Sequence, residues 1–350
     1  MNPSVARDKP SLSGMRNEQS EGPGMIQVEQ LTKYFGPVMA IDRVTFTVNR
    51  GEIVGFLGLN GAGKTTTMRI LTGYLPATSG IAKVAGFDVM TESMGVRHNI
   101  GYLPESVPLY SEMRVDEYIA FRAKLKGVPR ARRAARIEYC LERCRLVSVR
   151  RRLLSTLSKG YRQRVGLADA MVYDPAIFIL DEPTSGLDPQ QIRETLALIK
   201  ELAGDHTVLL STHILAEVEA ICERVVIIDR GRICLDQRLE EIESSSAILV
   251  EIRGPGEQVS STLRHIKGVA SVQGKPVEDG VSSFEVRTVD EADLRETLYQ
   301  TIQTKGWPIR RLERKRRRVE DAFFDVLRAQ DPLKQVQGAK TPAEAIMKRE

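Results

Sequence analysis

No run of about 18 apolar residues occurs anywhere in the 350-residue chain, so no segment reads as a bilayer-spanning helix. The first 24 residues lack the apolar stretch of a secretory leader. They are polar, carry Pro, Ser and Gly, and read as a disordered tail. Cysteine is scarce, with only Cys140, Cys144, Cys222 and Cys234. Cys140 and Cys144 stand four apart on a predicted helix, but no His pair or second Cys pair lies at zinc-finger spacing. Thiols in a reducing compartment, and not metal ligands, are the reading. No long internal repeat is visible, and His98, His206 and His265 have no setting that suggests chemistry.

What is present fits a soluble globular protein. Hydrophobic residues make up 42% and charged residues 28%, which is ordinary for that class. The length suggests about two domains of ~150 residues each. The net charge of +5 is unevenly placed. Residues 122–152 hold twelve Lys/Arg against Glu138 and Glu142, and 310–318 reads RRLERKRRR. Such patches serve nucleic acid or an anionic membrane surface, or they form a solvated helix face.

The body of the chain is predicted to begin near Met25. MIQVEQL and VTFTV alternate apolar and polar residues, as half-buried antiparallel strands do. At 53–57 the run is continuously apolar, enters a Gly-rich loop, and continues into an apolar-periodic segment that stops at Gly73. AIFILDE (176–182), TVLLST (207–212) and RVVIID (224–229) are also continuous runs. Strands of that kind are covered on both faces, hence parallel and inside an α/β core. The basic stretch 114–152 has helical spacing and reads as an insert. After 245 the pattern becomes strand, helix, hairpin, helix, strand, the order of a ferredoxin-like unit. A short amphipathic helix and a polar tail follow.

The motif GLNGAGKT spans 58–65 and satisfies G-x-x-x-x-G-K-[ST] between a strand and a helix. Gly58, Leu59, Asn60, Gly61, Ala62 and Gly63 form a loop whose backbone N–H groups can turn toward phosphate oxygens. The helix that follows adds its positive end. Lys64 can reach the terminal phosphates of a nucleoside triphosphate, Thr65 can bind Mg²⁺, and Thr66 continues the turn. Asp181 ends a buried strand, where it can hold Mg²⁺ directly or through water. Glu182 stands next to it, placed to accept a proton from an attacking water.

These residues identify the chain as similar to the nucleotide-binding subunits of ATP-binding cassette (ABC) transporters, over about 25–239. LSKGYRQR (157–164) stands where that family carries Leu-Ser-Gly-Gly-Gln. Ser158 and Gly160 match, Lys159 replaces a Gly and Tyr161 replaces the Gln, with Gln163 as a candidate substitute for the missing amide. SGLD (185–188) resembles the loop that crosses the dimer, with Asp188 as a contact to the other subunit. STH places His213 like the switch histidine that meets the γ-phosphate, and Tyr34 resembles the aromatic that stacks on adenine.

The resemblance implies an α/β fold: a P-loop ABC ATPase cassette at 25–240, with an antiparallel part, a parallel core sheet and a helical subdomain at about 114–165. A small α+β ferredoxin-like domain at 245–328 and a loose tail at 329–350 complete the expected organisation. It also implies a head-to-tail homodimer around two ATP and Mg²⁺, and a separate membrane permease on which the subunit sits at the inner face of the cell membrane. YLPE and the appended domain resemble exporters of the ABC-2 class. A soluble ABC ATPase acting on nucleic acid or ribosomes is the rival reading, prompted by the basic runs. The chain has neither the two cassettes of translation-type members nor the coiled coil of DNA-repair types, so no nucleic acid partner is expected. A cassette that binds ATP without hydrolysing it is a third reading, prompted by Lys159 and Tyr161.

Glu105, in IGYLPESVPLY, occupies the place where the family usually carries Gln. A carboxylate beside phosphates is repulsive unless a cation stands between. Glu105 is therefore expected to join the Mg²⁺ site and to relay its state into the SVPLY segment at the permease face; the alternative reading is that it replaces Gln without changing behaviour.

Overall fold

The computed structural model describes residues 24–244, 247–278, 280–289, 292–315 and 318–329; the predicted N-terminal tail, Gly24 apart, and residues 330–350 of the C-terminal tail lie outside them. The alternating segments form β1 (Ile26–Phe35) and β2 (Val38–Val48), paired antiparallel with Val28 opposite Phe46. Their inward residues Ile26, Val28, Leu31, Val44, Phe46 and Val48 are all buried. The continuous runs become β3 (Ile53–Leu57), which leads into α1 (Lys64–Leu71), and later core strands. β4 (Ser79–Val84) and β5 (Phe87–Asp88) complete a first sheet in the order β2-β1-β4-β5. α2 (Ser93–Asn99) then enters β6 (Ile100–Leu103).

The helical insert is α3 (Val115–Leu125) and α4 (Arg130–Arg143). Half of the arginines on these two helices are engaged with the chain's own acids. Arg122 and Lys126 meet Asp169 at 2.8 and 3.0 Å, Arg136 meets Asp174 at 3.0 Å, and Arg143 meets Glu201 at 2.6 Å. Arg150 pairs with Glu138 and Arg151 with Asp116, both at 3.1 Å. Carboxylates from elsewhere in the fold thus offset part of the local excess of positive charge in this stretch.

α5 (Lys159–Met171), β7 (Ile177–Asp181), α6 (Pro189–Leu202), β8 (Thr207–Thr212), α7 (Leu215–Ile221), β9 (Arg224–Asp229) and β10 (Arg232–Arg238) follow. The second sheet runs β10-β9-β3-β8-β7-β6. All its pairings are parallel except β10 with β9. Every residue of β3, β7 and β8 is buried, as a sheet covered on both faces requires. The two-residue period of a strand splits these side chains between two cores. Phe178 and Leu180 join the helices α3 to α5, whereas Ile177 and Ile179 join β1, β2 and α1.

The register fixes where chemistry can occur. Leu57 lies opposite Thr212, and Asp181 opposite Ser211. The loops after β3, β7 and β8 therefore emerge together at the carboxyl ends of parallel strands, where open α/β sheets take their ligands.

After α8 (Leu239–Ser244) come β11 (Ala247–Arg253), α9 (Gly256–Arg264), β12 (Val269–Glu278), β13 (Val281–Thr288), α10 (Arg295–Thr304) and β14 (Ile309–Lys315). They build an antiparallel sheet, β12-β13-β11-β14, with a core of its own around Val250, Phe284 and Leu298. The last element, α11 (Val319–Ala329), turns back to the cassette: Val319, Ala322 and Phe323 are buried in the same apolar cluster as α3 to α7. No helix among the described residues is long and apolar enough to cross a membrane. Cys140, Cys144 and Cys222 are buried; burial pushes the Cys140 thiol up to about 12 and the other two upward as well.

Candidate nucleotide and catalytic site

The loop between β3 and α1 is shaped by two residues in the left-handed region, Gly61 at φ 80° and Gly63 at φ 111°. A side chain at Gly63 would also meet Ile41 Cγ2 at 2.7 Å and Ala40 O at 2.9 Å, so only glycine fits. Gly63 caps α1 without any side-chain hydrogen bond to the first turn. The orphan N–H groups at that helix start thus remain for an anion. Ala62 is buried and its N–H donates to Leu59 O at 3.1 Å, which closes the turn, while Leu59 itself is exposed. Gly58 sits so close to Ile228 O that a Cβ would approach to 2.4 Å.

Lys64 is buried, and its Nζ donates to Gly58 O at 2.8 Å and Leu59 O at 3.2 Å. It also lies 3.3 Å from Glu182 Oε1. Glu182 Oε2 is 2.8 Å from His213 Nδ1, whereas Oε1 is buried and makes no hydrogen bond. Glu182 holds φ at 49°, a left-handed conformation that costs a non-glycine residue and persists only under constraint. Its N–H donates to Ser211 O and Oγ, each at 3.1 Å.

Asp181 accepts from Ser211 Oγ at 2.5 Å and Thr65 Oγ1 at 3.3 Å. Burial raises its carboxyl above the usual range, the two hydroxyls oppose that rise, and the charges of Glu105 and Glu182 add to it. Asp181 is thus a carboxylate short of positive charge, beside a threonine hydroxyl and two further carboxylates. An all-oxygen set of this kind suits a hard divalent cation. Among the described residues no group of three or more His, Cys, Asp or Glu is close enough to hold a metal alone. Phosphate oxygens and waters would have to complete the shell, as is usual for Mg²⁺.

A cavity of about 380 Å³ joins these parts, walled by Asn60, Gly61, Gly63, Lys64, Thr65, Thr66, Glu105, Glu182 and His213 with Ala40 and Ser185. Most of the residues singled out from sequence therefore converge on one place. Tyr34 does not line that cavity. It is 45% exposed at the end of β1 and pairs with Met39, the neighbour of Ala40. Ser158, Gly160 and Asp188 also lie off the cavity wall. Ser158 caps α5 by accepting from Tyr161 N, and Asp188 caps α6 by accepting from Gln191 N at 2.9 Å. Gln163 does not stand in for the missing signature amide. It is 5% exposed, and its Nε2 is unpartnered inside a small pocket walled by Cys144, Leu167 and Leu198. Five residues along a helix is about one and a half turns, which turns Gln163 away from the end where Ser158 stands.

Ser211, Ser185 and Ala40 were not anticipated as site residues. Ser211 could have been found by asking which residue of a neighbouring parallel strand faces Asp181. Ala40 has no such signal, because β2 reaches the loop only through the packing of the two sheets.

Comparison with known proteins is consistent with this geometry. Residues 41–185 match the ABC transporter family model. An ABC transporter ATP-binding protein of Bacillus subtilis, YxlF, is 34% identical over 305 residues, covering 87% of this chain and all of that one. Among solved structures, the ATP-binding subunit of an ABC transporter superposes with a TM-score of 0.59 at 32% identity, over 63% of this chain and 92% of that one. The dimeric bacterial cassette MJ0796 gives 0.57 at 25% identity, over 61% and 99%. The chain belongs to the ABC transporter family as an ATP-binding subunit, and it is an ATPase.

Proposed function

We propose that two copies of this chain close head to tail around two molecules of Mg-ATP and so drive a separate membrane permease of the ABC-2 exporter class. The pairing of Glu182 with His213 carries the reading. One carboxylate oxygen is fixed at 2.8 Å by the imidazole, and the other is buried, hydrogen-bond-free and directed at the phosphate loop through Lys64. That oxygen, ion-paired with Lys64 but without a hydrogen bond, is where a general base accepts the proton of an attacking water. Lys64 and the loop N–H groups orient the phosphates, and His213 holds Glu182 in place and meets the γ-phosphate. Bound beside Thr65, Asp181 and Glu105, Mg²⁺ would neutralise charge on the phosphates. Tyr34 stacks on the adenine. Ser158 and Gly160 of one copy, with Asp188, meet the nucleotide held by the other, which is why they stand off the chain's own cavity.

The permease contact is assigned to the segment after Glu105 and the helical insert. Tyr110 is 53% exposed and packs edge-on against Phe121 of α3 at 5.7 Å, with Leu125 exposed nearby. The unit after 245, with its ferredoxin-like strand order, supports the exporter class, and the permease places the subunit on the cytoplasmic face of the membrane. The test is Glu182→Gln. It is expected to lose hydrolysis and to form an ATP-dependent dimer that survives gel filtration. Hydrolysis at the wild-type rate removes Glu182 as the base.

A further inference from the structure

Glu217 lies in the first turn of α7, 2% exposed, and touches neither the cavity nor any cation. Its two carboxylate oxygens are divided between the loop after β7 and the end of β8. Oε1 accepts from Thr184 Oγ1 at 2.5 Å, and Oε2 accepts from Thr212 Oγ1 at 2.7 Å. Both threonines are buried, and Thr212 Oγ1 in turn accepts from Ile214 N at 3.0 Å. Thr184 stands two residues after Glu182, and Thr212 immediately precedes His213. With the Glu182–His213 contact at 2.8 Å the bonds close a ring: Glu182, Pro183, Thr184, Glu217, Thr212, His213 and back to Glu182.

A buried carboxylate is costly unless its oxygens are satisfied, and an apolar residue would fill the place without that cost. What the carboxylate adds is two acceptors on one rigid group, which tie a loop and a strand end to one helix start. Glu182 is the residue that needs such a tie, because its left-handed backbone is held only by its surroundings. We infer that Glu217 is a positioning residue for hydrolysis, which fixes the Glu182–His213 pair by joining the loop after β7 to the end of β8. The inference rests on the reading of Glu182 as the base.

The test uses the full chain with ATP and Mg²⁺. Glu217→Leu puts an apolar side chain of comparable size in its place and removes both acceptors, and the isosteric Glu217→Gln keeps one. Because a misplacement of about 1 Å at a reacting group costs about 10²-fold, Glu217→Leu is expected to lower kcat by roughly tenfold or more. Its KM for ATP should stay within about twofold of wild type, since the phosphate loop is untouched. Glu217→Gln should fall between. Hydrogen exchange without nucleotide gives an independent readout: protection should drop over 182–187 and 212–215 and persist in β7 and β8. A Glu217→Leu kcat near wild type, a KM that rises in step with the loss of kcat, or a loss of protection spread through both strands overturns the inference. Should Glu217→Leu fail to fold, Thr184→Val and Thr212→Val each delete one hydroxyl and are judged by the same outcomes. Glu182→Gln in parallel separates the two ideas: wild-type turnover there sinks the base assignment, whereas an inactive Glu182→Gln beside an unimpaired Glu217→Leu sinks only the role of Glu217.

Discussion

Asp181 is a carboxylate that the fold makes costly. Burial raises its pKa above the unfolded value, so the folded chain binds that proton more tightly than the unfolded chain does. Such a group favours folding at low pH and subtracts from stability as pH rises past the unfolded value. Asp181→Asn keeps an acceptor for Ser211 and removes the charge, and it is expected to raise the stability of the chain in EDTA by about 1 kcal/mol. Mg²⁺-dependent hydrolysis should collapse in the same variant. Thermal unfolding in EDTA checks the first part, and a fall in Tm would contradict the sign. Glu105 differs, because it is exposed. Its effect belongs to the metal: Glu105→Gln should move the Mg²⁺ titration of ATPase activity to higher concentration. Superimposable titrations would leave Glu105 as a plain replacement for Gln.

At the scale of elements, α5 separates a structural from a functional glycine. A methyl group at Gly160 would first meet the end of the Gln191 side chain, with Oε1 at 2.1 Å, and a glutamine amide can swing aside. Gly160 also has no positive φ. Gly160→Ala should therefore change the stability of the single chain by less than about 1 kcal/mol, in line with helix propensity. If α5 presents its start to the partner's nucleotide, the same variant should lose ATP-dependent dimerisation. Equilibrium unfolding and gel filtration with ATP measure the two halves, and an unimpaired dimer would remove Gly160 from that contact. The example also marks what could be read from residues alone. The cassette strands were legible because β3, β7 and β8 are uninterrupted apolar runs, and the phosphate loop because its glycines and Lys64 sit at fixed spacing. The ring through Glu217 was not legible. It depends on Thr184, Thr212 and a helix start meeting in space, and no local pattern records a contact between loops about 30 residues apart. Gln163 shows the converse: its neighbours in sequence suggested chemistry, and the helical turn directs it into the interior.

For the molecule as a whole, the return of α11 to the cassette matters more than the domain order. The chain leaves the cassette after β10, builds the small antiparallel sheet with its separate core, and then buries Val319, Ala322 and Phe323 in the cluster that holds α3 to α7. Val319 N donates to Glu219 on α7 at 3.2 Å. That helix begins two residues after His213 and contains Glu217. The last helix is thus part of the cassette's core although it follows the accessory sheet in sequence. The two cores should then melt as distinguishable transitions, and only the cassette's should respond to ATP, because a ligand stabilises the unit that binds it. Phe323 is 6% exposed, and replacing a buried Phe by Ala typically costs about 3–5 kcal/mol. Phe323→Ala is therefore expected to lower the Tm of the ATP-responsive transition and to leave the other in place. Differential scanning calorimetry with and without Mg-ATP reads this directly. A shift confined to the transition that ATP does not move would mean that α11 belongs energetically to the accessory sheet, and that nothing beyond 318 supports the helix that carries Glu217.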